Sequence, residues 1–596
     1  MQWWETGRLL TVFRRRLPAA VQGHLLTEAM SSPTSLPPLD SKLSAHLPTA
    51  ASDELRLVNP AAGPASTVLL DGSTLTAEQV ARIASGASVA VDATTLSISA
   101  RTHDVIMVAA RVGSPVYGLN VGVGQNKDRR FVEPVAAFSG AMLDKSRQFN
   151  IDLIRAHACS VGDDVAVPLA RATMAVRLNM MLTGASGVQP SVIDLLVSFL
   201  NRGITPAMPA SGSIGEADIL VLSHIGMAMI GEGDVYYGGR RVPAAQALAA
   251  EGLVPIAPFG KDAIGIVSSN AFSLGGAALA LHELDHLTWI LLLVYATSLQ
   301  ALDGNVSPFL EDTLALRPFP HVLNTGRALR KALEGSSLWG RSERRPLQDP
   351  LSFRSGVHLV AELVRAKDEI DALMALQLNS SDDNPGVVAG VAPHSGRWAE
   401  QQGYVRGEHI TGAVLPSSNF SPLTWVLALE RLGSVLAHNS IASAQRVVRL
   451  NDPGFTGLPR YLCDESIVHG FGAVEKLPIW LAKQNKELAR PVSFDSLPLA
   501  GGIEDMASNA PRVVEKVREQ IDNMYMLLAV EVIHAAQAID LRRARETAFA
   551  ISPVTESLYD ALREIVPFLD RDRALTQDLN ATNALLKAHG RGAFGN

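Results

Sequence analysis

Four long stretches constrain what this chain can fold into: residues 270–302, 356–379, 421–448 and 509–540. Each has helix-forming composition over many turns, and the first is predominantly apolar. An all-round apolar helix is stable in water only when other helices cover it, so such lengths predict a bundle of long, mutually buried helices. Shorter helical runs precede them. "AVPLARATMAVRLNMMLTG" and "QPSVIDLLVSFLNRG" each end at glycine, Gly184 and Gly203, as a helix C-terminus favours. Thr76-Ala77-Glu78-Gln79 reads as a capping box opening a helix. No repeat of fixed period is seen. The expected fold is mainly α: a long-helix bundle with a smaller mixed N-terminal part. The expected divisions are 1–65, a disordered extension and linker; 66–260, the N-terminal part with two glycine-rich loops; and 261–596, the central and C-terminal helical bundle.

Composition narrows the function. The 596 residues carry a net charge of −7 with no long run of one sign, which argues against nucleic acid as partner. Only Cys159 and Cys463 occur, so a disulfide framework and a cysteine-based metal site are both excluded and a reducing cytoplasm fits. The start, with Trp3, Trp4 and arginines at 14–16, lacks the continuous apolar core of a signal peptide. It reads as an extension, with Met30 as an alternative start and a transit peptide as the weaker alternative.

Two motifs suggest chemistry. "HELDH", His282 to His286, matches the H-E-x-x-H spacing that binds zinc. The very apolar segment after it makes an intramembrane protease the rival reading. That segment is too short to span a bilayer, and no second one accompanies it. The plainer expectation is a polar stripe on a buried helix, with no metal and no membrane. "PASGSIGEADILVLSHIGMAMIGEG" places a glycine-rich loop before an apolar helix. Such a loop can cradle an anion, yet neither a P-loop lysine nor strand–helix alternation supports a nucleotide fold.

Further segments fall in a telling order: "VYGLNVGVG" (116–124), "NIDLIRAHACSVGDDV" (150–165), "ALRPFPH" (315–321), "QDPLSFR" (348–354), "NSSDDNP" (379–385), "SSNF" (417–420) and "GGIEDMAS" (501–508). With these the chain resembles the aromatic amino acid ammonia-lyase family, which includes histidine and phenylalanine ammonia-lyases, over roughly residues 66–560. The resemblance implies the histidine ammonia-lyase fold and a homotetramer whose active sites are shared between subunits. It also implies an amino acid or betaine substrate and carbon–nitrogen lyase activity. "HELDH" then falls inside a core helix.

In that family an Ala-Ser-Gly tripeptide cyclises to the electrophile methylideneimidazolone (MIO), which makes a poor leaving group depart. The family loop reads G-S-x-G, then Ala-Ser-Gly, then Asp-Leu. Here Gly212-Ser213-Ile214-Gly215 and Asp218 match, but only Glu216 and Ala217 lie between them. The available tripeptide, Ala210-Ser211-Gly212, lies ahead of that register. The family's supporting asparagine is replaced by Ser268 (followed by Ser269), its second tyrosine by Leu351, and a phenylalanine by Val123. The losses fall on the amine-activating machinery. The base and the substrate shell remain.

Elimination without an electrophile suits a quaternary ammonium, which leaves as a neutral tertiary amine. Family members lacking MIO act in this way, as ergothionase does on the betaine of thiol-histidine. The expected roles are these. Tyr117 is the base, with Lys127 a possible cation lowering its pKa. Arg354 clamps the substrate carboxylate. Glu504, alone or with Asp505, holds an imidazole-like ring. His157, Asn384, Phe420, Glu216 and Ser268 line the substrate, and Phe420, Phe353 or Trp425 offers an aromatic face to the cation. No cofactor is the first expectation; MIO from Ala210, Ser211 and Gly212 is the alternative. A non-catalytic homologue and a zinc protease complete the alternatives.

Overall fold

The computed structural model describes residues 67–114, 116, 120–122, 129–130, 140–342, 344–463 and 467–589. Tyr117, Val123, Lys127 and the 1–65 extension lie outside the described residues. The first described elements are small. Strand β1 (Val68–Leu70) pairs in parallel with β2 (Val89–Val91), and helices α1 (Ala77–Ala84) and α2 (Ala93–Arg111) follow them in sequence. The capping box forms: Gln79 N–H donates to Thr76 Oγ1, and Thr76 N–H donates back to Gln79 Oε1.

Helix α3 (Gly140–His157) leads into β3 (Val161–Asp164) and α4 (Val167–Met180). The chain does not simply stop at Gly184. It widens into a π turn over Met181–Ala185, with Gly184 at φ 82°. Helix α5 (Pro190–Arg202) ends as expected, on Gly203 at φ 67°. Next come β4 (Thr205–Pro206), β5 (Pro209–Ser211), α6 (Ile219–Met229), β6 (Asp234–Tyr237) and β7 (Arg240–Pro243). β5 runs antiparallel to β3, and β4-β6-β7 make a separate three-stranded sheet. The mixed N-terminal part is therefore several small sheets set among helices.

The bundle follows: α7 (Asp262–Val267), α8 (Ala271–Leu302), α9 (Pro320–Ala332), α10 (Leu351–Arg354), α11 (Gly356–Gln377), α12 (Leu423–Leu450), α13 (Lys476–Leu488), α14 (Ala510–Arg545), α15 (Pro553–Ile565) and α16 (Thr576–His589). Between α11 and α12 lies a small antiparallel sheet, β8 (Gly386–Ala389), β10 (Thr411–Leu415) and β9 (Tyr404–Arg406), with β10 central. The four predicted long stretches are α8, α11, α12 and α14. Almost every residue of α8 is buried, because α4, α11 and α14 pack around it. Each buried leucine or isoleucine contributes on the order of 1.5–3 kcal/mol, so the apolar run drives assembly of the bundle. Gly275 lets α8 approach α4 closely: a Cβ there would lie 3.0 Å from the Thr173 backbone nitrogen. Contrary to the expectation that no segment is of spanning length, two helical segments, Asp262–Leu302 and Ala510–Arg545, are long and apolar enough to cross a membrane, because their helices run on past the apolar stretches read in the sequence; most of their surface is buried inside the protein.

Candidate active site

The loop before α6 gathers the chemistry. Pro209–Ser211 extends as β5, with Ser211 opposite Val161 and Pro209 opposite Asp164. Ala210, Ser211 and Gly212 are exposed. The chain then turns inward. Gly215, at φ 87°, lies so close to the head of α14 that a Cβ would meet Ala510 N at 2.4 Å, so only glycine fits. Asn509 N–H donates to Ile214 O at 2.8 Å, and Ser508 Oγ donates to Gly215 O at 2.9 Å. Ala217 takes the left-handed conformation at φ 72°. That conformation costs an L-residue roughly 1–2 kcal/mol and persists only where its surroundings fix it. Here Ala217 N–H donates to Asn270 Oδ1 at 3.0 Å, and Asp218 N–H donates to Ser269 O at 2.6 Å.

Two carboxyls flank that strained residue. Asp218 is buried and accepts from Ser213 Oγ (2.6 Å), Ser273 N (2.8 Å) and Ser273 Oγ (3.0 Å). Burial pushes it up to about 6 against the pull of these bonds. Glu216 is half-buried, and burial pushes its carboxyl up to about 7, opposed only by a hydrogen bond from Ser508. The heads of α6, α8 and α14 all adjoin this loop.

Beneath it lies a buried ionic group. Asp382 accepts from Asn270 N–H at 2.7 Å and Ser269 Oγ at 2.8 Å, and lies 3.4 Å from Arg177. Asp383 pairs with Arg177 at 3.0 Å and Lys261 at 3.1 Å. Burial opposes ionisation of both aspartates. The two cations nevertheless hold Asp383 below the usual carboxylate range, while Asp382 stays above it. Asn384 Oδ1 accepts from Ser417 N–H at 3.0 Å, and Asn270 Nδ2 donates to the Phe420 carbonyl. Glu216, Ser268, Asn384 and Phe420 thus meet in one hydrogen-bonded neighbourhood, each in it or one residue from it.

The other expected residues stand apart. His157 ends α3, half-buried, with Nδ1 against Leu153 O at 2.8 Å. Arg354 ends α10. Its Nε is buried and has no hydrogen-bond partner among the described residues. Leu351, three residues earlier, is 64% exposed. Glu504 is exposed on a tight turn closed by Leu499 N–H to Glu504 O at 2.9 Å. Among the described residues no hydrogen bond ties His157, Arg354 or Glu504 to the Glu216 loop. Phe353 and Trp425 are buried in the core, which leaves Phe420 as the half-buried aromatic of the three.

Sequence reasoning passed over Asn270, Ser269, Asp382, Arg177 and Ser508. A signal existed for Asn270, which sits at the boundary between Ser268 and the longest apolar run. "HELDH" lies in the middle of α8. His286 is buried with Nδ1 2.6 Å from Tyr525 Oη, and no group of three His, Cys, Asp or Glu able to hold a metal occurs among the described residues.

Comparison with known proteins identifies the family. Residues 75–564 match the family described as aromatic amino acid lyase. Histidine ammonia-lyase of Geobacillus thermodenitrificans is 30% identical over 524 residues, covering 87% of this chain and 97% of the relative. Among solved structures, ergothionase of Treponema denticola, an ergothioneine-degrading enzyme in complex with desmethyl-ergothioneine sulfonic acid, superposes with a TM-score of 0.78 at 33% identity. That match covers 88% of this chain and 99% of the other. Tyrosine aminomutase of Streptomyces globisporus gives a TM-score of 0.76 at 26% identity, covering 88% and 97%. A glycine-rich loop held at the heads of three helices, in a chain matched by such relatives over nearly its whole folded length, places this protein in the aromatic amino acid lyase family as a carbon–nitrogen lyase.

Proposed function

We propose that this lyase expels a neutral tertiary amine from the trimethylammonium betaine of histidine or thiol-histidine, and does so without the MIO electrophile. The observation that carries the reading is the content of the loop at the three helix heads: Glu216 and Ala217, and no more, stand between Gly215 and Asp218. An extended Ala210-Ser211-Gly212 supports this, because cyclisation needs a backbone folded on itself and the segment runs along β3 as β5, with Pro209 opposite Asp164 and Ser211 opposite Val161. The likeness to ergothionase supports the same substrate class.

The chemistry balances without an electrophile. A base removes the β-proton, the C–H pair becomes the new π bond, and the C–N pair departs on a nitrogen that becomes neutral. Tyr117 is the base in this reading. Arg354, with a buried N–H left open, holds the carboxylate. Ionised Glu216 faces the cation in a partly dry site, where attraction is stronger than in water. Two measurements test this. Intact mass should show no loss of two waters, and trimethylated histidine or thiol-histidine should release trimethylamine while Ser211→Ala turns over unchanged. A mass lower by two waters, with ammonia released from histidine, would sink the proposal.

A pH dependence follows from Glu216, raised to about 7 by burial. Below that pH the free site carries a neutral acid. Above it a carboxylate faces the cation. Affinity for a trimethylated ligand should therefore rise as pH passes upward through about 7, while an uncharged isostere binds equally on both sides. Calorimetric titration of both ligands across that range checks the sign.

The proposal includes a homotetramer with shared sites. Within one chain no hydrogen bond among the described residues ties Arg354 or Glu504 to the Glu216 loop. The Glu504 turn is flanked by apolar side chains open to solvent, among them Phe494 (73% exposed), Leu497 (82%) and Met506 (71%). Exposed apolar clusters of this kind mark surfaces that a partner covers, and a second copy would bring Glu504 to a neighbouring site. Sedimentation should give a tetramer; a monodisperse, active monomer would refute this.

A further inference from the structure

We propose that Asn270 is a positioning residue that aims Glu216 at the departing ammonium group and locks the Glu216 loop to the Phe420 turn. The inference rests on the functional reading above. Asn270 is 3% exposed, and both polar ends of its side chain are used. Oδ1 accepts from Ala217 N–H at 3.0 Å, and Nδ2 donates to the Phe420 carbonyl. Its own N–H donates to Asp382 at 2.7 Å, and its carbonyl accepts from Leu274 N–H at 2.9 Å.

The placement is unusual. Asn270 is the N-cap residue of α8, the position where an asparagine ordinarily caps its own helix. Here its side chain makes no cap bond. Other groups do that work: Ser269 Oγ takes Ala271 N–H at 3.1 Å, and Asp218 takes Ser273 N–H at 2.8 Å. The asparagine is thereby released to bridge two loops. One of them carries the left-handed Ala217, next to Glu216. A disfavoured conformation stays put only while it is held, and the Asn270 bond holds the peptide nitrogen between Glu216 and Ala217. If that bond is lost, Ala217 can relax toward an ordinary conformation and Glu216 turns with it.

The chemistry of the side chain sets the test. Aspartate keeps the acceptor for Ala217 N–H but sets an oxygen against the Phe420 carbonyl. Alanine removes both bonds. Glu216→Gln, Asn270→Asp and Asn270→Ala are made singly, and each Asn270 variant is also made in the Glu216→Gln background. Calorimetry then compares a trimethylated histidine with its uncharged isostere on the intact enzyme, alongside kcat, KM and thermal unfolding. Asn270→Ala should lower the preference for the cation by about tenfold or more, as losing a buried hydrogen bond does, while Asn270→Asp, which keeps the acceptor for Ala217 N–H, should lower it less. That loss should vanish when Glu216 is already glutamine, because the two residues act as one unit. Where Asn270→Ala does not fold, Asn270→Ser, whose shorter side chain gives up both bonds while staying polar, carries the test in the same two backgrounds. Equal losses for both ligands, or losses that simply add in the double variants, overturn the inference and leave Asn270 a structural residue. If Glu216→Gln alone leaves the preference unchanged, the functional reading itself fails and takes the inference with it.

Discussion

Tyr117→Phe is expected to cut turnover about a hundredfold to ten-thousandfold while substrate affinity stays nearly constant, the range for loss of a general base. The phenyl ring keeps the shape and removes only the group that takes the proton. A phenol needs help to act near neutral pH, since its ordinary pKa is about 10. A cation beside a phenol can supply that help by favouring the phenolate, the role expected of Lys127. Rapid-quench turnover and equilibrium binding on the same preparation separate the two effects. An unchanged rate would move the base elsewhere, with Lys127 the next residue to substitute.

Arg177→Met should produce the largest loss of stability. The guanidinium is wholly buried, lies 3.4 Å from Asp382 and 3.0 Å from Asp383, and donates to the Gly265 carbonyl. Methionine fills similar space but leaves two aspartates facing each other with Lys261 as their remaining nearby cation. Breaking a buried ion pair from one side costs about 3–5 kcal/mol, because the surviving charge is neither hydrated nor paired. Thermal and urea unfolding check this, and a change under about 0.5 kcal/mol would refute it. Activity should fall further than stability alone explains, since Asp382 also holds Ser269 and Asn270.

The long helices were legible because length and apolar content are local properties. A run such as 270–302 can be buried only as a core helix, and α8 occupies 271–302. The register of the Glu216 loop was legible for a similar reason, since Gly212-Ser213-Ile214-Gly215 and Asp218 lie within seven consecutive residues. The support beneath it was not. Arg177 meets Asp383 across 206 positions of chain, and Asn270 meets Phe420 across 150. Each of these residues alone looks like an ordinary polar side chain in a helix or at its end. Arg354 and Glu504 were chosen on motif alone, and among the described residues no hydrogen bond joins them to the loop they are expected to serve.

The loop at the helix heads is anchored at both margins through its backbone and through the side chains of Ser213 and Asp218. Ser213 and Asp218 close it from within, Ser508 and Asn509 grip one flank, and Asn270 grips the other. Such a mount behaves as a socket whose insert can be exchanged while the frame stays rigid. A lineage built on this frame can change the group presented to substrate by editing two or three residues, leaving helices of 32 and 36 residues in place. On the proposed reading, reaction type and fold are thereby uncoupled: the frame sets where a reactive group stands, and the short insert sets what that group is.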